Sequence, residues 1–412
     1  DPVQYVWLIG CLMVAGFFWW RRKEIGKGPV AAIVFFVAVL SPMLGFFSLY
    51  TFRYTFVADH YQYLACLGPI SLVGWVLAVR WGKLSFARHL ISAVILVVLA
   101  FLTWRQGHIY KDSETLWRDN LAKNPASWMA YNNLASVLLE RGDAEKSLEY
   151  HTKALEIYES PEAHIGMGAA LTQLGRPQES LPHYRKALNL RPNDPDTYYN
   201  MGIAFAAMGN LAEAIENYMK ALEINPHHVK ARNNLGSALA AQGNFEGAAI
   251  QYIKILNDNP NDDRAHTNLA NVLAEIGKLD EAEQHYRTAL ALNASNEAAH
   301  YNLARLLAMK GNLTEAIQHY QKSIILKPDN ADAHYNLAGV LGARNLIDEA
   351  IDEYRKAIQI KPDFADAHNN LAVMLYLKGD YAGAWKEIAL AKKYGGKPHP
   401  QFLKALTQKM PP

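Results

Sequence analysis

The sequence predicts an all-α protein: four transmembrane helices followed by a right-handed α-solenoid. Three observations carry that prediction. Four long apolar runs without Asp, Glu, Lys or Arg crowd the start of the 412-residue chain. From residue 128 onward, glycine, proline and tyrosine return at intervals of 34 residues or close to it. One asparagine, directly before Leu or Met in strings such as YNNLA, YYNMG and HYNLA, recurs in the same register.

The apolar runs cover 3–20, 29–50, 62–79 and 89–104. Each is close to the roughly 20 residues, within a range of about 17–25, that an α-helix needs to cross a bilayer. The loops between them set an orientation. Arg21, Arg22, Lys23 and Lys27 follow the first run, and Arg80, Lys83 and Arg88 separate the third from the fourth. The loop between the second and third has only Arg53. Cytoplasmic loops collect Lys and Arg, so the Arg53 loop and everything after Trp104 are expected outside, in periplasm, lumen or cell exterior. The chain opens on Asp1, without the basic n-region and cleavage site of a signal peptide. We therefore expect 1–104 to be the C-terminal part of a larger membrane domain. A helical linker is expected at 105–127, eight repeats at 128–398, and a cap and tail at 399–412.

The charge balance, 41 basic against 39 acidic residues, gives a formal net charge of +2. A dedicated nucleic-acid binder would be clearly basic, so nucleic acid is excluded as a partner. Cys11 and Cys66 lie in apolar runs and form neither a zinc spacing nor a disulfide framework.

The repeat unit explains itself position by position. Gly142, Gly175, Gly209, Gly243, Gly277, Gly311 and Gly379 mark a turn in each unit, and Asn345 fills the one gap. Pro226 and its equivalents stop the second helix. Small residues such as Gly202, Gly236 and Ala270 let helix A approach helix B, and Ala214, Ala248 and Ala282 do the same from helix B. Asn210 and Glu213 are spaced as a capping box that opens helix B. A 34-residue helix–turn–helix unit with small residues, an aromatic and a terminal Pro is the tetratricopeptide pattern. The segment SETLWRDNLAKNP at 113–125 reads as a lone B-type helix, and the C-terminal cap supplies the polar outer face that terminal repeats need.

The recurring residues are Asn133, Asn200, Asn234, Asn268, Asn302, Asn336 and Asn370, all at position 6 of helix A; only the second repeat departs, with Gly166. Helix A lines the concave side of such a superhelix. The preceding position drifts among Asn132, Ile165, Tyr199, Asn233, Thr267, Tyr301, Tyr335 and Asn369. A primary amide offers two donors and an acceptor, and can grip the backbone of an extended peptide whatever its side chains. Helices stacked about 8–10 Å apart would meet a chain advancing roughly 3.3 Å per residue at about every third residue. The alternative role is to tie neighbouring repeats together, and the two can coexist. This half of the chain resembles the tetratricopeptide region of O-GlcNAc transferase, whose asparagine ladder holds peptide backbones. The UDP-sugar catalytic domain of that family has no counterpart here.

His266, His300, His334 and His368 recur at position 4. Equivalent atoms one repeat apart are separated by a helix-packing distance, too far for shared zinc ligation near 2.1 Å. Polar lining or hydrogen bonding between repeats is expected instead, and no metal site. His227-His228 reads as a solvated loop. NAS at 293–295 and NLT at 312–314 match the short N-glycosylation pattern.

The loop FVADHYQYLACLG, residues 56–68, carries an acid, a basic residue and an aromatic cluster at the mouth of a span. It resembles the segment A-[DE]-R-x-x-Y-x-P-S-x-G of the transmembrane and tetratricopeptide repeat O-mannosyltransferases and their bacterial relatives. Asp59, Tyr63 and Gly68 match; His60 replaces the Arg, and Ala65-Cys66 replaces Pro-Ser. The order of spans, tryptophan-containing linker and repeats fits as well. The resemblance implies a GT-C type protein O-glycosyltransferase using a polyprenyl-phosphate sugar donor, with its catalytic acid upstream of this segment. Arg53, Asp59 and His60 become candidate contacts to a lipid phosphate or to the membrane interface. The segment itself carries no cofactor motif. The rival reading is a non-catalytic, membrane-tethered scaffold that organises an envelope complex or filament.

Overall fold

The computed structural model describes residues 111–411 and the single position Val94. The four apolar runs (Val94 apart) and Arg53, Asp59 and His60 lie outside the described residues. Among the described residues no helix is long and apolar enough to cross a membrane. The chain divides into two compact units, Asp1–Thr115 and Leu116–Pro412.

All regular structure among the described residues is helical. Helix α1 (Ser113–Lys123) buries none of its side chains. Eight hairpins follow, each an A helix and a B helix. They are α2 (Trp128–Glu140) with α3 (Ala144–Ile157), α4 (Pro161–Gln173) with α5 (Pro177–Leu190), and α6 (Pro195–Ala207) with α7 (Leu211–Ile224). Next come α8 (Val229–Ala241) with α9 (Phe245–Asp258), and α10 (Asp263–Glu275) with α11 (Leu279–Leu292). The last three are α12 (Glu297–Met309) with α13 (Leu313–Leu326), α14 (Ala331–Ala343) with α15 (Ile347–Ile360), and α16 (Ala365–Lys378) with α17 (Tyr381–Lys393). Helix α18 (Pro400–Lys409) closes the series.

Seven of the eight A helices start on side-chain caps, and α16 starts on Phe364 without one. Ser127, Ser160, Asp194, His228, Asp262, Asn296 and Asn330 each accept a hydrogen bond from the backbone N–H three residues on, which satisfies one of the orphan donors of a helix start. Asn210 departs from the expected capping box. It sits at the cap of α7, but its side chain makes no capping bond. The turn between helices is closed by a left-handed residue, with φ of 73–90° at the seven expected glycines. Asn345 takes the same conformation at φ 60°, because Asn tolerates this region better than other residues with a Cβ.

The A and B helices lock together through a tyrosine on B and a small residue on A. A Cβ on Gly168, Gly202 or Gly236 would lie 2.5–2.8 Å from the ring of Tyr184, Tyr218 or Tyr252. Ala214, Ala248, Ala282, Ala316 and Ala350 on the B helices are fully buried. Successive A helices touch each other along most of the array, whereas successive B helices make no comparable contact. The A helices therefore form the inner, concave wall. At the far end Leu406 of α18 is fully buried, Phe402 meets Tyr376 edge-on at 5.6 Å, and the Trp385 indole N–H donates to the Met410 carbonyl at 2.8 Å.

Candidate functional site

Every position-6 asparagine is half-buried on the inner wall. The amides are not idle there. The Asn336 Nδ2 donates to the Tyr301 hydroxyl at 2.9 Å and the Asn370 Nδ2 to the Tyr335 hydroxyl at 3.0 Å. Asn268 donates to Asn233 Oδ1 at 2.9 Å. The Asn234 Oδ1 instead accepts from its neighbour Asn233 at 3.5 Å. The partner at position 5 of the preceding repeat is the very position that drifts in sequence. Where that residue is Asn233, Tyr301 or Tyr335, it accepts the bond from position 6.

The exceptions obey the same logic. The Thr267 hydroxyl donates to the Asp263 carbonyl at 2.8 Å and accepts from Asn296 Nδ2 at 3.0 Å; Asn302 donates instead to Asn271 Oδ1 at 3.0 Å, which also accepts from the Tyr286 hydroxyl at 2.6 Å. Asn200 follows Ile165, which has nothing to accept with, and its side chain has no hydrogen-bond partner among the described residues. Gly166 belongs to the second repeat, beneath which the first repeat carries His151 in place of the usual tyrosine. A Cβ on Gly166 would lie 2.2 Å from the His151 ring. That ring is fully buried, neither of its nitrogens has a partner, and burial pushes its pKa down to about 4.

Each bonded amide uses one N–H toward the preceding repeat. One N–H and the carbonyl oxygen remain on Asn268, Asn302, Asn336 and Asn370. The cavities on the inner wall are lined by these residues. One of about 440 Å³ is bordered by Asn336, Asn370, Tyr335 and Met309. A second, of about 570 Å³, is bordered by Asn234, Asn268, Asn233, Lys230 and Arg264. The tyrosines below are held protonated by burial, Tyr218 and Tyr354 being pushed up to about 12, so they act as neutral hydrogen-bonding groups at any physiological pH.

The position-4 histidines face the B helix of their own repeat, 19 residues on, rather than a neighbouring repeat. His266 and His285 approach Nδ1 to Nδ1 at 2.9 Å, and His300 and His319 at 2.8 Å; His164 and His183 do so at 3.2 Å. His334 instead meets Glu353 at 2.5 Å, and His368 meets Glu387 at 2.6 Å. The second nitrogen of His266, His300, His334 and His368 reaches a carbonyl in the loop before its helix, such as that of Pro260 or Pro362. The partner was visible in sequence as a His or Glu repeated 19 residues after position 4. His228 is no solvated loop residue: it caps α8, packs on Tyr199 and meets Asp196 at 3.1 Å. Among the described residues no group of three His, Cys, Asp or Glu could hold a metal ion.

Models described as tetratricopeptide repeat match residues 126–193, 160–227, 205–272 and 267–331, and one described as TPR repeat matches 340–379. No curated protein matches the chain. Among solved structures, the chain is similar to MamA, with 28% identity over 42% of this chain and 96% of that one, at a TM-score of 0.37. It is similar to pilF of Pseudomonas aeruginosa at 23% identity, over 49% and 92%, with a TM-score of 0.45. It is also similar to YrrB, described as a TPR protein with an unusual peptide-binding site, at 24% identity, over 45% and 95%, with a TM-score of 0.36.

Proposed function

We propose that this chain, a tetratricopeptide repeat protein, is a membrane-anchored, extracytoplasmic binding module whose inner wall holds extended protein segments. The observation that carries the reading is the half-used asparagine. Each bonded amide is oriented by a hydrogen bond to the preceding repeat and keeps an acceptor and a donor, the pair that an extended backbone presents in complement. The inter-repeat bond thus supports recognition: it fixes the rotamer in advance, so less side-chain entropy is lost on binding. A net gain of about 0.5–1.5 kcal/mol per bond requires several rungs to act together.

The four apolar runs anchor the module, and the basic bias of their loops sets it outside the cytoplasm. In this reading the module presents protein substrates to a glycosyltransferase that uses a polyprenyl-phosphate sugar, with Arg53, Asp59 and His60 touching the lipid phosphate. The support is the partial match around Asp59 and Tyr63. In the rival reading, a scaffold, the groove binds partners and no sugar is transferred. Incubation of the membrane-embedded protein with a radiolabelled polyprenyl-phosphate sugar and a groove-bound protein separates the two by whether label appears on the protein.

The groove itself is tested by exchanging Asn234, Asn268, Asn302 and Asn336 together for Ala. Affinity for an unstructured Gly/Ser-rich peptide should fall about tenfold or more, since tenfold corresponds to about 1.4 kcal/mol. Helicity should persist. Unaltered affinity in a folded variant would remove the asparagines from recognition.

A further inference from the structure

The exposed charges at position 2 of the A helices are not scattered. Lys230 and Arg264 occupy it in the fourth and fifth repeats, Asp332 and Asp366 in the seventh and eighth, and Ala298 lies between them. Lys230 and Arg264 border the same cavity as Asn234 and Asn268. Asp332 and Asp366 act electrostatically on Tyr301 and Tyr335, the hydroxyls that hold Asn336 and Asn370. All four side chains are exposed, and none has an ion-pair partner among the described residues. Three other charged side chains of the A helices have polar partners. Arg305 stands 3.8 Å from Glu275, Asp196 meets His228 at 3.1 Å, and Glu162 pairs with Arg191. Asp262 and Asp263 also border the basic cavity, but they are committed inward. Asp262 caps α10 through the Ala265 N–H at 2.9 Å, and Asp263 accepts from the amides of Asn293 and Asn296 at 2.9 and 2.8 Å.

The groove therefore has a cationic zone and an anionic zone three repeats apart. With helices stacked about 8–10 Å apart that is about 24–30 Å. The separation exceeds the Debye length of about 8 Å at physiological salt, so the zones act independently. An extended chain at about 3.3 Å per residue covers it in about eight residues.

We propose that the groove selects an extended polypeptide segment with acidic side chains over repeats four and five and basic side chains over repeats seven and eight, about eight residues apart. The proposal rests on the inner wall being the binding face. Amide rungs would supply sequence-independent grip, and the charge zones would supply the register that a uniform ladder lacks.

The test uses the full chain in detergent and three synthetic peptides of equal length. One carries two aspartates, about eight Gly/Ser residues and two lysines; one has the reverse order; one is wholly Gly/Ser. The better of the charged peptides should bind about tenfold tighter than the neutral one at low salt, with the advantage shrinking at high salt. The K230E/R264E and D332K/D366K variants should each cut that advantage to about threefold or less. Equal binding of charged and neutral peptides, or a preference that survives both variants, overturns the charge register. If the asparagine variant weakens all three peptides while the charge variants change nothing, the groove reading stands and only the register falls. Failure of all three peptides to bind overturns both.

Discussion

Repeats five and six and repeats seven and eight are built on the same hairpin, yet they answer one question differently. In the earlier pair the position-4 histidine faces a second histidine, His285 or His319. In the later pair it faces a carboxylate, Glu353 or Glu387. The neutral geometry is nearly the same. Two facing imidazoles can share one hydrogen bond only while one of them stays unprotonated, whereas a cationic ring opposite Glu meets its opposite charge. Burial, followed by the partner His266, lowers the pKa of His285. Burial and then His300 push His319 down to about 4, with Lys322 and Arg287 adding to the fall and Glu315 opposing it.

Acid is the strongest lever on that contrast. A histidine whose folded pKa lies below its ordinary 6.5 stabilises the fold least at low pH. Above about 6.5 both states are neutral and stability is full; as pH falls toward 4 only the unfolded chain gains the proton, and stability is lost. His151, with no partner at all, should cost about 3 kcal/mol between pH 6.5 and 4. Hydrogen exchange at pH 7 and at about pH 5 should find the first, second, fifth and sixth repeats losing protection before the seventh and eighth. Replacing His285 and His319 with Glu should bring repeats five and six into line with their neighbours. Uniform loss of protection along the array would break the comparison.

A second contrast concerns space rather than charge. The Gly202→Ala change drives a methyl into the Tyr218 ring, 2.5 Å away, and should destabilise by about 1–3 kcal/mol. Gly339 is also helical, but a Cβ there meets only the Tyr354 hydroxyl at 3.7 Å. Gly339→Ala should stabilise by about 0.5–1 kcal/mol through helix propensity. Denaturant midpoints of the two variants should move in opposite directions.

The smallest effect sharpens the reading of the ladder. Asn336→Ala removes a bond to Tyr301 and should cost about 1 kcal/mol. Asn200→Ala, opposite Ile165, should change stability by less than about 0.5 kcal/mol. Equal costs would mean that the amides do not couple repeats.

The periodic parts of this fold were legible because they are local. A left-handed turn needs glycine, or asparagine at 345, and a helix stop needs the proline at 226; both show in one dimension. The asparagine ladder was legible as a pattern, and a tie between neighbouring repeats was one of the two roles it suggested. The tyrosines and asparagines one repeat earlier were hidden because side-chain direction across stacked helices does not appear in sequence spacing. Gly166 looked like a simple departure. It became intelligible only once His151 was found beneath it, a compensation between residues in different repeats. The missing capping bond at Asn210 shows the opposite error, since residue type and spacing were right and the rotamer differed.

Helix α18 has a further consequence. With Leu406 buried against the last hairpin and Trp385 tied to Met410, the surface on which a ninth unit would stack is already occupied. Molecules cannot polymerise head to tail through this end unless that helix first peels away. Exposure of Trp385, seen as a red shift and quenching of indole fluorescence, would accompany any such end-to-end growth.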